Sequence, residues 1–290
     1  MQQRILMCAP DHFDVAYVIN PWMEGNLARC DARLAMRQWQ ELARAIGRVA
    51  QVETVRGGEQ VPDMVFTANA GLVLDQGVVL SRFRHEERQP EEALFARWFE
   101  AHGFSVLRLP SGLHFEGAGD ALFDRGRALL WMGWGHRSDL GAAGPLAHLL
   151  QVEVQPLRLI DARFYHLDTC FCPLQGGALL WHPAAFDAAS RACVEARVPA
   201  EKRIAVGVED AAAFACNAVN IGRHVFLNQA TPALQAALAA HGFEVHAVPL
   251  SEFMKAGGAA KCLTLDLSET LADHVPQRSG LAVQGAWAGA

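Results

Sequence analysis

Cys262 has the sequence surroundings that best suit a nucleophilic thiol. It follows the segment Gly257-Gly-Ala-Ala, and Lys261 precedes it directly. A Gly-Gly pair allows the backbone to turn tightly beside a reacting group, and nearby positive charge favours the thiolate, the reactive form of cysteine. Because most free cysteines are inert core residues, these surroundings alone support a nucleophile only weakly.

The other cysteines lack such surroundings. Cys170 and Cys172 form a C-x-C pair in an apolar segment that predicts a strand, without the second pair or the histidine spacing of a zinc site. We predict that both are core residues. The remaining four have no polar or glycine-rich context: Cys8, Cys30, Cys193 and Cys216. An odd number of scattered cysteines without a secretory signal is typical of reduced thiols in a cytoplasm.

The segment FYHLDT offers groups for acid–base catalysis. We predict a strand here, on which His166 and Asp168 are two residues apart and share one face. A histidine beside a carboxylate suits proton transfer next to a cationic ligand. A buried, hydrogen-bonded pair with a structural role is the alternative, and the segment alone does not decide between them.

Two further segments hold polar groups that a turn or a strand does not require. In FEGAGD, Glu116 and Asp120 bracket glycines that allow close approach of the backbone. In PDMVFTAN, Asp63 and Asn69 flank a predicted strand, where asparagine is disfavoured. Carboxylates, a thiol and a histidine together suit a guanidinium ion, because a carboxylate binds it bidentately and a thiolate can add to its carbon.

Internal repetition indicates which elements position these groups. Residues 101–110 (AHGFSVLRLP) resemble residues 240–249 (AHGFEVHAVP), and a predicted strand and an amphipathic helix precede each segment. The order strand, strand, helix, strand occurs five times, over residues 1–58, 61–110, 113–160, 163–208 and 212–265. Units of about fifty residues cannot cover their own apolar faces. We therefore predict an α/β fold in which five ββαβ units close a ring.

Several elements are predicted individually. The strands are residues 51–55, 77–80, 128–132, 152–157, 178–181 and 224–227, and the helices are residues 91–100, 183–196 and 231–239.

Composition and length support one domain. No linker divides the ring, so we predict a single catalytic domain over residues 1–275 and a tail over residues 276–290, either a frayed end or part of a contact in a homo-oligomer. The chain of 290 residues is 51% hydrophobic and 19% charged, without the run of ~20 apolar residues that a membrane helix needs. A formal net charge of −6 without a basic cluster argues against nucleic acid and acidic membranes as partners.

The motifs FEGAGD, HLDT and GGAAKC, in this order, resemble those of the guanidine-modifying enzymes, a superfamily of arginine deiminases, dimethylarginine hydrolases and amidinotransferases. Its fold is the pentein, a five-bladed α/β propeller, which agrees with the five units. The resemblance covers essentially the whole chain. It implies a catalytic group of Cys262 as nucleophile, His166 as general acid and base, and Glu116. Substrate ligands would be Glu116 and Asp168 for the guanidinium, Asp63 in the same site, and Arg137 and Arg88 for the substrate carboxylate.

Asn69 departs from most of the superfamily. Deiminases and dimethylarginine hydrolases carry aspartate there, whereas Asn69, with Asn20 in the segment INPWM, resembles the arginine dihydrolase branch. Those enzymes convert arginine to ornithine, two ammonia and carbon dioxide. An amide can donate or accept and so suits both guanidino and ureido groups, while an aspartate charge is poorly matched to neutral citrulline. We expect such a hydrolase, without a metal or an organic cofactor.

Other interpretations stay open. A dimethylarginine dimethylaminohydrolase or an arginine deiminase would stop at citrulline, and an amidinotransferase would exclude water and admit an amine acceptor. A non-catalytic binding protein with the same fold is a fourth alternative, since function depends on the site and not on the fold. Retention of the thiol, the histidine and two carboxylates argues against it.

Overall fold

In the computed structural model, which describes residues 2–270, fifteen strands form five three-stranded sheets. In chain order the strands are β1 (Arg4–Cys8), β2 (Gln51–Val55), β3 (Gly71–Leu74), β4 (Gly77–Leu80), β5 (Ser105–Leu107), β6 (Ala121–Phe123), β7 (Leu129–Trp134), β8 (Glu153–Arg158), β9 (Phe171–Leu174), β10 (Ala178–Trp181), β11 (Arg203–Ala205), β12 (Val219–Ile221), β13 (His224–Leu227), β14 (Glu244–Ala247) and β15 (Leu265–Asp266). The α-helices are α1 (Ala32–Ile46), α2 (Gln89–Ala101), α3 (Ala143–Leu150), α4 (Ala188–Arg197), α5 (Val208–Ala212), α6 (Pro232–Ala240) and α7 (Ser251–Met254).

Every sheet repeats one pattern. An inner strand pairs antiparallel with a middle strand, and the middle strand pairs parallel with an outer strand after a helical crossover. In the second sheet, Val79 of β4 lies between Leu72 of β3 and Leu107 of β5, and α2 connects β4 to β5. The helix is needed because a parallel connection must return the chain to the same end of the sheet. The predicted ββαβ order is confirmed.

The predicted elements agree closely with these bounds. Strands 51–55, 77–80, 178–181 and 224–227 have the observed limits, strands 128–132 and 152–157 are displaced by one or two residues, and helices 91–100 and 231–239 are slightly longer or shifted. The start predicted for the helix at residues 183–196 was wrong. Pro183–Ala185 forms a 3-10 turn, and α4 begins only after Asp187, whose side chain accepts a hydrogen bond from the Ser190 N–H.

The two ends of the described chain close the ring together. Leu265 and Asp266 of β15 pair antiparallel with Leu6 and Ile5 of β1, so β15 is the inner strand of the first sheet. The prediction that the fifth unit extends to residue 265 was therefore wrong, because this segment finds its backbone partners on β1. The single domain over residues 1–275 stays a prediction, and the predicted tail, residues 276–290, lies outside the described residues.

The helices bury apolar faces against the sheets. In α1, Ala35, Leu42 and Ile46 are completely buried, and Asp31 caps the helix by accepting from the Leu34 N–H. In α2, Phe99 is also fully buried, and its replacement by alanine would cost about 3–5 kcal/mol of stability. Among the described helices, none has the length and apolar character that crossing a membrane requires.

The five inner strands surround a cavity of about 70 Å³. Each contributes lining residues, among them Leu72, Leu122, Cys172, Val219 and Leu265. The inner strands therefore run side by side around the centre of the ring, and the loops that lead into them can meet at one end. Cys170 and Cys172 are buried in the core as predicted, although only Cys172 lies within a strand.

Candidate active site

Polar residues stand just before the inner strands. Asn69 precedes β3, Asp168 precedes β9, Asn217 precedes β12 and Cys262 precedes β15, each by two or three residues, and Glu116 lies slightly further from β6. Contacts between their loops include the hydrogen bond from the Ala68 N–H to the carbonyl of Cys262, at 3.1 Å. The fivefold repeat thus brings together residues that are far apart in sequence.

The strands predicted around His166 and around Asn69 were wrong. Leu167–Thr169 is a 3-10 helix with His166 at its N-cap, and Pro62–Val65 and Thr67–Ala70 are 3-10 helices that contain Asp63 and Asn69. Short 3-10 turns satisfy some of their own backbone groups while the chain changes direction. That suits loops which must turn into the inner strands and expose polar side chains on the way.

The thiol of Cys262 is buried between a carboxylate and an amide. Its Sγ lies 3.4 Å from Asp168 Oδ2 and 3.1 Å from Asn217 Nδ2. Burial, followed by the charge of Asp168, raises the pKa of Cys262 well above its ordinary value, and the Asn217 contact only partly offsets this. Without substrate, Cys262 is therefore a neutral thiol that faces Asp168.

Asp168 is also protonated more readily than an ordinary aspartate. It is fully buried, and burial raises the pKa of its carboxyl to about 7, against the opposing effects of Lys261, Cys262 and Asn217. Near neutral pH this carboxyl changes charge easily, so the half of the site that holds the thiol has no fixed negative charge.

Asn217 is a site residue that our sequence reasoning missed. Its Oδ1 accepts from the N–H groups of Ala259 (2.9 Å) and Cys262 (3.1 Å), and its Nδ2 donates to the carbonyl of Asp168 (3.0 Å) and to the Cys262 thiol. It thereby fixes the backbone on both sides of the thiol–carboxylate pair. The repeat could have revealed it, because Asn217 precedes β12 by the same two residues by which Asn69 precedes β3.

Glu116, His166 and Arg137 form a second group, in which Glu116 and Arg137 are an ion pair. Glu116 Oε2 lies 2.6 Å from His166 Nε2 and 3.1 Å from Arg137 Nη1, and all three side chains are buried. Burial alone would raise the pKa of Glu116, but Arg137 and His166 outweigh it and hold this pKa well below its usual range. No hydrogen bond links His166 to Cys262 in the described part of the chain.

Asp120 holds the loops that carry Glu116 and His166. Its Oδ1 accepts from the Leu167 N–H at 3.0 Å, and its Oδ2 accepts from the Ser138 hydroxyl at 2.6 Å. Ser138 in turn accepts from the Glu116 N–H at 3.0 Å. Asp120 therefore fixes the two loops that carry Glu116 and His166, which explains both carboxylates of FEGAGD.

Arg88 and Asn69 are largely engaged with the protein. Arg88 forms a bidentate ion pair with Glu91 (2.9 and 2.8 Å) and also donates to Asn69 Oδ1 (3.0 Å) and the Asp63 carbonyl (3.2 Å). Asn69 Nδ2 donates to the Glu116 carbonyl at 3.1 Å. A guanidinium has five N–H donors, so a single donor of Arg88 has no acceptor among the residues that the structure describes.

Arg137 has more donors available. Besides the bond to Glu116, it donates through Nη2 to the carbonyl of Ile19 at 3.0 Å and lies over the ring of Tyr165. Within the described residues its three other N–H donors have no hydrogen-bond acceptor. Arg137 is thus better suited than Arg88 to hold a substrate carboxylate.

Asp63 has an unused acceptor. Its Oδ1 and the hydroxyl of Tyr17 are buried and face each other closely enough for the hydroxyl to lower the pKa of Asp63, but their geometry falls short of a full hydrogen bond and neither has another partner among the described residues. Burial raises the pKa of Asp63, against the opposing charge of Arg88. A buried polar atom without a partner is costly, so these two atoms are suited to meet a ligand.

Asn20 supports the loop before Cys262. Its Oδ1 accepts from the Trp22 N–H and its Nδ2 donates to the Ala256 carbonyl, both at 3.0 Å. The next residue, Gly257, has φ +85°, and a Cβ there would lie 2.7 Å from the Tyr165 hydroxyl and 2.9 Å from Asn20 Oδ1. Glycine at 257 is therefore required by close packing as well as by its backbone conformation.

A protein-family model described as eukaryotic N,N-dimethylarginine dimethylhydrolase matches residues 24–269. The chain belongs to this family. Its relatives include the bifunctional arginine dihydrolase/ornithine cyclodeaminase ArgZ of Synechocystis, which is 56% identical over 94% of this chain and 39% of its own length. The N(G),N(G)-dimethylarginine dimethylaminohydrolase of Mycobacterium tuberculosis is 38% identical over 91% of this chain and 86% of its own length. The chain spans about two fifths of the bifunctional relatives, 39% in each case.

Solved structures of the family have the same fold. The crystal structure of the N-terminal domain of ArgZ, an arginine dihydrolase bound to its substrate, matches with a TM-score of 0.92 and 56% identity over 93% of this chain and 99% of that one. A dimethylarginine dimethylaminohydrolase adduct matches with a TM-score of 0.78 at 19% identity, which concerns the fold alone. The predicted pentein fold and membership of the guanidine-modifying superfamily are confirmed.

Proposed function

We propose that this chain hydrolyses the guanidino group of arginine through a covalent adduct on Cys262 and continues to ornithine. The observation that supports it most is the buried Cys262 thiol, which contacts Asp168 and Asn217 in the same ring of loops as the Glu116–His166 pair. The extensive match to the ArgZ arginine dihydrolase domain adds to this.

Three carboxyl groups are available for the guanidinium. Asp63 Oδ1 has no hydrogen-bond partner among the described residues, Asp168 Oδ2 lies 3.4 Å from the Cys262 thiol, and Glu116 Oε1 accepts one backbone N–H, from Arg84, at 3.2 Å. Carboxylates bind guanidinium with short, charge-assisted hydrogen bonds. Arg137 would hold the substrate carboxylate, and Arg88 would mainly fix Asn69.

The first half-reaction forms the adduct. The cationic substrate offsets the cost of a thiolate in this buried site, and His166 takes the thiol proton. The sulfur then bonds to the guanidinium carbon, and His166 gives the proton to the departing nitrogen, which leaves as ammonia. A planar thiouronium cation remains on Cys262, so His166 acts first as base and then as acid.

The second half-reaction releases citrulline. Water loses a proton to His166 while its oxygen bonds to the adduct carbon. The carbon–sulfur bond then breaks, the sulfur takes the proton back from His166, and the remaining proton of the cation passes to solvent. Glu116 stabilises the imidazole each time it becomes protonated, because the Glu116 carboxylate lies 2.6 Å from His166 Nε2.

The same groups can act on citrulline. Cys262 adds to the ureido carbon, ammonia leaves, and hydrolysis of the thiocarbamate gives a carbamate that releases carbon dioxide and ornithine. Asn69 supports this second cycle because Arg88 and the Glu116 carbonyl fix its amide in one orientation. An aspartate in its place would turn a carboxylate oxygen towards that carbonyl and would add a charge that neutral citrulline cannot match.

Product identity tests the proposal. Incubation with arginine, citrulline and dimethylarginine in separate reactions should give ornithine from the first two, with ammonia and carbon dioxide. We expect Asn69→Asp to accumulate citrulline from arginine, while the control Asn26→Asp, outside the site, should leave the products unchanged. Citrulline as the end product of the unaltered chain would refute the dihydrolase, and unchanged products in Asn69→Asp would refute the role of Asn69.

Hydrolysis of dimethylarginine is the second candidate. It is favoured by the matching family model and by the relative from Mycobacterium tuberculosis. In that case dimethylarginine would yield citrulline and dimethylamine, and arginine would react more slowly. The predicted homo-oligomer and cytoplasmic location stay predictions.

A further inference from the structure

Two histidines and a glutamate meet on the fifth sheet, outside the residues of the proposed active site. His224 of β13 pairs with Glu244 of β14, and Phe226 pairs with His246, in parallel register. Side chains alternate along a strand, so all four project from one face of the sheet. Glu244 and His246 lie in the repeated segment 240–249, but no motif in the sequence marks them or His224 as ligands.

The potential ligand atoms are close together. His224 Nδ1 lies 2.9 Å from His246 Nε2 and 3.7 Å from Glu244 Oε2, and His246 Nε2 lies 3.6 Å from Glu244 Oε1. Ligand atoms at 2.0–2.1 Å from a tetrahedral zinc ion are about 3.3 Å apart. The three residues can therefore reach one ion by small side-chain rotations.

Neighbouring groups hold the His246 ring, the Glu244 carboxylate and the backbone of His224. The His246 ring stacks on Phe226 with a centroid distance of 4.7 Å, and Asn220 Nδ2 donates to the His224 carbonyl at 3.0 Å. Arg223 binds Glu244 Oε2 at 2.6 Å, which leaves Oε1 for another partner. A partly preformed site loses less side-chain entropy when it binds a ligand.

The donor atoms of the group also suit a cation. Two imidazole rings and a carboxylate offer two nitrogens and an oxygen, all within 4.8 Å of one another. This set favours zinc-like ions over calcium or magnesium, which prefer oxygen ligands.

We propose that His224, Glu244 and His246 bind one divalent transition-metal ion of the Zn²⁺ class. The ion would join β13 to β14, the outer strand of the fifth sheet, with water in the remaining coordination positions. It would stabilise the folded chain by binding it in preference to the unfolded one. It would take no part in the chemistry at Cys262.

Titration calorimetry with zinc chloride tests the site on the untagged chain. The Cys262→Ser background prevents binding of the ion by the active-site thiol. We expect one ion per chain, and a loss of affinity greater than about tenfold in His224→Gln and in His246→Gln, because even loss of an outer partner of a ligand costs that much. The matched control is His148→Gln, which changes an exposed histidine on α3.

The unfolding temperature provides a second measurement. Zinc should raise it in the parent and in His148→Gln, and much less in the other two variants. If a histidine change disturbs the sheet, Glu244→Gln alters a more exposed ligand and should still weaken binding. Absence of stoichiometric binding in the parent, or equal affinity in the parent and both ligand-histidine variants, would overturn the proposal.

Discussion

The two halves of the proposed active site differ in when their charge is present. Around Glu116, the buried carboxylate is paired with His166 and Arg137, and its pKa is held low. Around Cys262, burial raises the pKa of both the thiol and Asp168. Glu116 is ionised before substrate arrives, whereas Cys262 stays a neutral thiol and Asp168 changes charge easily near neutral pH.

Because of this difference, the two halves of the site can perform different steps of the reaction. A fixed carboxylate can hold an imidazole ready for proton transfer, because its charge needs no reorganisation during the reaction. A neutral thiol is a poor nucleophile, and it stays in this form until the substrate guanidinium lowers the cost of forming the thiolate. The site would thereby link the reactivity of Cys262 to the presence of its substrate.

The largest effect is expected at the sulfur atom. Cys262→Ser should lower turnover of arginine by at least about 10⁴-fold, since removing a nucleophile abolishes the covalent path. Mass spectrometry of the unaltered chain during turnover should show an adduct on the peptide that contains Cys262. The conservative control is Cys193→Ser, a partly buried cysteine of α4, which should keep its activity. Normal turnover in Cys262→Ser would disprove the nucleophile assignment.

The ionised half is tested by Glu116→Gln. The change keeps the shape but removes the charge that His166 and Arg137 face, and we expect a loss of about 10²–10⁴-fold in kcat, the usual contribution of acid–base catalysis. Glu24→Gln, on an exposed residue, is the control. If kcat fell by less than threefold, roughly 0.65 kcal/mol of barrier, the proposed support of His166 by a fixed charge would be wrong.

The neutral half depends on Asn217 for its geometry. Asn217→Ala should lower kcat by about 10²-fold, because small displacements of a reacting group are costly, and should raise KM much less. The rate at which an alkylating agent reacts with Cys262 should also change. A loss of stability alone would leave this rate unchanged in the folded molecules. The control Asn228→Ala removes a buried amide that supports Leu250 in another loop. Equal kcat values for the Asn217 variant and the unaltered chain would contradict this role.

The smallest effect concerns stability and pH. The pKa of Asp168 is about 7, against about 3.9 in an unfolded chain. The stability that Asp168 contributes is therefore present below about pH 4 and is lost as the pH rises towards 7. The stability that Glu116 contributes is present above the pKa of an unfolded glutamate and is lost on acidification. Asp168→Asn should lose less stability between pH 4 and 7 than the unaltered chain does, as measured by urea unfolding. The control Asp11→Asn, at an exposed position, should show the same pH dependence of stability as the unaltered chain. If Asp168→Asn also showed that dependence, the raised pKa of Asp168 would be wrong.

Most of the fold could be predicted from the repeat. Strands such as 77–80 and 224–227 were found with their observed bounds because a buried strand is a short local pattern of apolar residues. The inner strand β15 was assigned to the wrong sheet, since its two residues carry no sign that they pair with β1 across the whole chain. The segment around His166 was predicted as a strand because alternation of apolar and polar residues also fits a short 3-10 turn.

The candidate site was predicted in part. The motifs singled out Cys262, His166, Glu116 and Asp168, and the structure places all four in the same ring of loops. Asn217 was missed because an isolated asparagine has no local pattern. Arg88 was predicted to hold the substrate carboxylate, but its guanidinium is engaged by Glu91, one helical turn further along the chain.

The sequence by itself determined the five repeated units and the residues with reactive side chains, because both depend on local order along the chain. Only the tertiary structure decided which of them meet and in what charge state. Cys262 and Asp168 are 94 residues apart, and Glu116 and His166 are 50 apart. Their contacts arise when the ring closes, and the burial that closure imposes sets their pKa values, so neither can be derived from a segment alone.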